Sequence, residues 1–228
     1  ATRDRGADGE RRGAAYAFER SGGTWREAAR LVGDGGDGPA PYRVGTAVAL
    51  DGSTAVVGAP ARCDDVDERD TGSAYAFERA GGEWHRSTLP APGGDRASEQ
   101  FGGAVAVDGA SVLVGDDGAD PSGTNSGAAV AYGRSDGSWR EEAVRVAEDG
   151  DGGDGFGGTV AVDGDRALVA APLDRTTGAS GEGAAYVLDR TPTGWRQRTK
   201  LVSGTAGTRA FGHDAALASL WVPGAPGV

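Results

Sequence analysis

The chain has 228 residues, among them 42 glycines and 10 prolines, and a formal net charge of −11. Such acidity counts against nucleic acid as a partner, and no apolar run is long enough to span a membrane. A lone cysteine, Cys63, excludes a disulfide framework within the chain, and no CxxC or His-rich spacing marks a structural metal. Lys200 is the only lysine, Asn125 the only asparagine, and Ile and Met are absent. GC-rich coding and adaptation to high salt both account for this bias, and the two are compatible. No signal peptide is present in these residues, and the chain begins at Ala1 in mid-pattern, as in a processed chain or an excerpt.

Taken in order, residues 14–19 (AAYAFE) read as a strand, SGGT as a tight turn, and WREAARL from Trp25 as a second strand. A Gly-rich acidic stretch, GDGGDGPAP (33–41), follows. Residues 44–52 (VGTAVALDG) and 53–60 (STAVVGAP) then read as a hairpin, followed by the acidic loop RCDDVDERD (62–70). GSAYAFER (72–79) and a strand from Trp84 complete four strands.

The same pattern then returns. FGGAVAVDG (101–109) and ASVLVGDD (110–117) lead into the loop DDGADPSGTNS (116–126), then GAAVAYGR (127–134) and a strand from Trp139. After AEDGDGGDG (147–155) comes FGGTVAVDGDRALVAAP (156–172), the loop LDRTTGASGE (173–182), GAAYVLDR (183–190) and a strand from Trp195. A last, degenerate copy, FGHDAALASLWVPGAP (211–226), lacks the Asp-Gly turn.

Trp25, Trp84, Trp139 and Trp195 lie 59, 55 and 56 residues apart, and Val44, Phe101, Phe156 and Phe211 lie 57, 55 and 55 apart. A period of this length signals a repeat architecture and decides the fold before any local feature. The Asp-Gly pairs at Asp51, Asp108 and Asp163 predict two-residue hairpin turns with positive φ at both residues. In the first strand of each copy the valines share one face and the alanines the other, as with Val105 and Val107 against Ala106. The second strands are apolar on both faces and so buried; the fourth are charged and so outermost.

An all-β protein follows: a β-propeller of four-stranded antiparallel blades, with the bulky face of one packed on the small face of the next. One domain covers residues 1–228, with whole blades at about 42–90, 101–146 and 156–202. Residues 13–32 and 211–226 are two halves of a split fourth blade. Strand count permits a closed four-bladed ring and equally an arc of a larger propeller.

Phe101-Gly102 and Phe156-Gly157, with Gly58-Ala59-Pro60 and Ala170-Ala171-Pro172, resemble FG-GAP repeats, the blades of integrin α-subunit-type propellers and of many microbial surface proteins. The resemblance implies an extracellular or cell-surface protein used in adhesion or ligand binding. Calcium-binding members place a DxDxDG cage between strands one and two. Here that loop is a bare Asp-Gly turn, so those ligands do not carry over.

Strand direction gathers the long connections at one end of the propeller, and long loops on a rigid scaffold are where binding usually sits. Asp149, Asp151 and Asp154 form an oxygen-rich group that could hold Ca²⁺; a solvated acidic loop is the weightier reading, and no other cofactor is indicated. Asp64, Asp65, Asp67, Glu68 and Asp70 in one loop, and Asp116, Asp117 and Asp120 in another, are candidate partner-binding residues. They favour a protein or glycan partner that is basic or bridged by divalent cations. His85, His213 and Cys63 build no Ser-His-Asp or Cys-His constellation, so the leading expectation is a non-catalytic binding module. A polysaccharide hydrolase or lyase using the same face, and a purely structural segment, are the rivals. The recurring tryptophan is expected to serve packing rather than sugar binding.

Overall fold

The computed structural model describes residues 13–33, 43–60, 72–92, 100–175, 181–205 and 210–217. The acidic stretch bearing Asp64, Asp65, Asp67, Glu68 and Asp70 lies outside them, as does Cys63. Every regular element among the described residues is a strand. The N-terminal pair is β1 (Ala15–Ser21) and β2 (Thr24–Leu31). The first whole blade comprises β3 (Ala47–Asp51), β4 (Thr54–Ala59), β5 (Ser73–Ala80) and β6 (Glu83–Leu89). The second comprises β7 (Ala104–Asp108), β8 (Ser111–Asp116), β9 (Ala128–Ser135) and β10 (Ser138–Arg145). The third comprises β11 (Thr159–Asp163), β12 (Arg166–Ala171), β13 (Ala184–Thr191) and β14 (Gly194–Val202). Each blade is an antiparallel meander in chain order, and β1 and β2 form a two-stranded sheet of their own.

The turns show why the sequence folds this way, with one departure. Asp51 pairs with Thr54, Asp108 with Ser111 and Asp163 with Arg166. The aspartate is therefore the last strand residue, and the loop is Gly-x, not Asp-Gly. Only the glycines Gly52, Gly109 and Gly164 have positive φ there (53°, 53° and 56°), as in a two-residue loop that opens on glycine. The freed carboxylates reach the next blade: Asp51 Oδ2 accepts the Gly109 amide at 2.7 Å, and Asp108 Oδ2 accepts that of Gly164 at 2.6 Å. Three of the turns between strands three and four take positive φ at both central residues, in Gly22-Gly23, Gly81-Gly82 and Asp136-Gly137, whereas Pro192-Thr193 in the third blade does so at neither.

Face-to-face packing follows the alternation. Val105, Val107, Val112, Val114, Val130, Tyr132 and Trp139 of the second blade share a core with Val56, Ala74 and Ala76 of the first. Val160, Val169, Tyr186, Leu188 and Trp195 of the third blade meet Ala106, Leu113, Ala129 and Ala131 of the second in the same manner. Trp139 and Trp195 are buried, whereas Trp25 is 64% exposed, because no described sheet covers the bulky side of the N-terminal pair.

The FG and GAP motifs lock each step. A Cβ on Gly58 would collide with the carbonyl oxygen of Gly102, and one on Gly115 with that of Gly157. Glycine at this GAP position thus lets strand two touch the FG turn of the next blade. Charged clasps add to the lock on the outside. Arg79 pairs with Glu19 and Arg134 with Glu78, each across one step. Gly133 occupies the slot of Glu19 and Glu78; there Glu142, the unpaired residue of a bulge in β10, fills the space and meets Arg190.

Gly115→Ala should therefore lower stability by about 1–3 kcal/mol through backbone overlap, read as a shift in the urea midpoint. Ala170→Gly, at the corresponding slot of the third blade, should change it by less than about 1 kcal/mol.

Candidate functional site

The two–three and four–one connections of the second and third blades meet at the long-loop end. The Leu173 amide donates to the Asp154 carbonyl at 3.2 Å, and those of Gly155 and Phe156 to the carbonyls of Asn125 and Ser126 at 3.1 and 3.0 Å. These bonds fasten three loops into one surface.

One polar cluster stands out among the described residues, at the third blade and the connection that leads into it. Tyr186 on β13 lies directly opposite Lys200 on β14. Its hydroxyl is 2.7 Å from Asp174 Oδ2 and 3.0 Å from Asp149 Oδ1. Lys200 Nζ bridges the same two carboxylates at 2.8 and 2.7 Å and sits 5.3 Å from the Tyr186 ring centroid. Asp174 is 2% exposed, so its charge needs a counter-ion. In the second blade Tyr132 instead donates to the Pro90 carbonyl, and the residue opposite it is Glu141.

The ionisation pattern follows from burial and contact. Burial alone would lower the Lys200 ammonium, but its hydrogen bonds to Asp149 and Asp174 outweigh that and hold it above the ordinary lysine value. Burial pushes the Tyr186 phenol upward, and its hydrogen bond to Asp174 pushes it further. Asp154 is raised mainly by burial, against the Asp151 amide, which it accepts at 2.8 Å and which lowers it. The other oxygen of Asp154 is buried with no hydrogen-bond partner.

The predicted calcium group is thus divided. Asp149 is engaged by Lys200 and Tyr186, Asp151 is exposed, and Asp154 points inward. Among the described residues, no group of three or more His, Cys, Asp or Glu side chains could hold a metal ion. Of the candidate partner-binding residues, Asp116 is buried, and Asp117 is partly buried with its carboxyl raised by that burial. Asp120 is exposed and accepts the Asn125 amide at 2.6 Å, beside an Asn125 φ of 54°. His85 and His213 are exposed. Spacing does not single out Asp174, Tyr186 and Lys200; the solitary lysine downstream of a strand-three tyrosine is the signal that points to them.

Four-stranded antiparallel sheets stacked bulky face on small face are the blades of a β-propeller-type, all-β protein. Residues 25–77 and 139–188 match the FG-GAP repeat family model, and the chain is an FG-GAP repeat protein. Each match runs from the outer strand of one sheet to the third strand of the next, so the repeat unit spans a junction between blades. No curated protein matches the chain. FG-GAP repeats occur in adhesion and interaction propellers, are typical of extracellular or cell-surface proteins, and are typically non-catalytic. No helix among the described residues is long and apolar enough to cross a membrane.

Lys200→Met should destabilise the protein by about 2–4 kcal/mol at neutral pH, because it leaves Asp174 buried without its cation. A folded-state lysine value above the ordinary one of about 10.4 means that the contribution is complete below that pH and lost as pH rises through the raised value. Tyr186, also raised, loses stability in the same direction above about pH 10. Melting temperature followed from pH 7 to 11 checks both: the wild type should fall above about pH 10, and the variant should start lower and fall less steeply.

Proposed function

We propose that this protein is a non-catalytic interaction module of the cell exterior that binds a protein or glycan partner through its long-loop end. The observation that carries this reading is the inequality of the two ends. One end is closed by two-residue hairpin turns throughout the whole blades. The other carries long, acidic connections, and those described in the second and third blades are fastened to one another by backbone hydrogen bonds. A rigid scaffold presenting variable loops at one end suits recognition.

The partner is basic, or is bridged to the loops by divalent cations. Asp120 and Asp151 are exposed carboxylates that would meet it, and by sequence Asp64, Asp65, Asp67, Glu68 and Asp70 of the 62–70 stretch would join them. Asp149 contributes its charge to that face while holding Lys200. Exposed charges of this kind steer encounter and select sign more than they add affinity.

A glycan and basic-protein array, run with a parallel assay for released products, tests the proposal. Binding without turnover is expected; turnover would make the protein an enzyme, and neither result would leave a structural role. Affinity for any captured partner should fall steeply as ionic strength rises from about 0.01 to 0.15 M, over which the screening length shortens from about 30 to 8 Å. Salt-independent binding to a neutral partner would contradict the acidic-face assignment.

A further inference from the structure

Asp154 stands at the node where three loops of the long-loop end are fastened together. Its carbonyl accepts the Leu173 amide at 3.2 Å, which ties the 147–155 connection to the start of the 173–182 loop. The next two residues, Gly155 and Phe156, donate to the carbonyls of Asn125 and Ser126 at 3.1 and 3.0 Å, which ties it to the 116–126 loop. The side chain is enclosed there: it is 3% exposed, and its Oδ2 accepts the Asp151 amide at 2.8 Å. Its Oδ1 is buried with no hydrogen-bond partner. An ionised carboxylate so placed keeps its charge out of water with one oxygen unsatisfied, a cost that a neutral carboxyl does not carry in full.

The neighbouring charges add to that cost. Asp174, just past Leu173, and Asp151, in the same turn, both repel a negative charge at Asp154. Lys200 attracts it by less than either repels it, and its ammonium lies between Asp149 and Asp174. On the same connection Glu148 and Asp149 are exposed, and the exposed Arg175 lies beside Gly153. From the second blade, Asp116 is buried and Asp117 packs beside Gly155. Tyr186 faces Asp174 and Asp149. Burial raises the Asp154 carboxyl above the ordinary aspartate value, and the two like charges raise it further, against the pull of the Asp151 amide.

We propose that Asp154 makes this junction an acid-responsive latch, fastened when its carboxyl is neutral and loosened when it is ionised. A proton on Oδ1 removes the buried charge and its repulsion by Asp151 and Asp174, while Oδ2 goes on accepting the Asp151 amide. Linkage fixes the direction. A carboxyl raised in the closed state binds its proton more tightly there than in the opened one. Closure therefore strengthens as pH falls through the raised value, and the gain is complete below about 3.9, the ordinary aspartate value. Asp117, also raised by burial, acts in the same direction. Asp149 and Asp174 act in the other, because protonation would end their pairing with Lys200. The latch acts on the fastening itself, whatever the long-loop end binds.

Hydrogen exchange at the amides of Gly155, Phe156 and Leu173, each rate divided by the intrinsic rate at that pH, measures the opening of the junction. The full chain is compared with Asp154→Asn, which keeps an oxygen for the Asp151 amide and carries no charge at any pH. At about pH 7 the wild type should open several-fold more than the variant at all three amides, and the difference should vanish towards about pH 4. Equal opening at both pH values, a difference that does not change with pH, or a variant that opens more than the wild type at neutral pH would overturn the proposal. A second measurement needs no variant: the Asp154 carboxyl carbon, followed by NMR in the wild-type chain, should titrate with a midpoint above about 3.9. A midpoint at or below that value would overturn it as well.

Discussion

The contact on which the fold depends is the seating of one blade's FG turn against the GAP glycine of the blade before it. The carbonyl oxygens of Gly102 and Gly157 occupy space that a side chain on Gly58 or Gly115 would take. That approach sets how closely successive sheets stack, and hence whether valines and tyrosines on one face reach the alanines on the next. Phe101 and Phe156, beside these glycines, are 0% and 1% exposed and anchor the same junction from the apolar side. The family repeat itself straddles that junction.

Much of this is legible in the amino-acid sequence. The 55-residue period, the strand order, the alternation of faces and the exposed outer strands follow from residue spacing, turn glycines, side-chain size and charge. The turn register at Asp51, Asp108 and Asp163 is displaced by one residue from the expected one. A local rule places positive φ on the Asp-Gly pair, but at Asp51 and Asp108 the carboxylate is held by the next blade's amide, a partner 58 and 56 positions away. Glu142 is similar: its pairing with Arg190 depends on the absence of a side chain at Gly133, which no single strand reveals.

The candidate site is only partly legible for the same reason. Acidic loop residues are abundant, so spacing does not distinguish Asp174, which turns inward onto Tyr186 and Lys200, from Asp151, which faces water. Lys200 Nζ stands 2.7 and 2.8 Å from two carboxylates, neutralising charge from within the chain. The long-loop end therefore has a rigid, internally compensated floor under the third blade, with exposed carboxylates around it.

The central claim is that stability resides in the steps between blades, where a bulky face packs on a small one. A double-mutant cycle across one step tests it most directly: Ala131→Val enlarges the small face of the second blade, and Leu188→Ala trims the bulky face of the third, both within one core. The two single variants should each be destabilised. The double variant should recover at least about 1 kcal/mol relative to their sum, because the added and removed volumes meet. Additivity within about 0.3–0.5 kcal/mol would contradict the account.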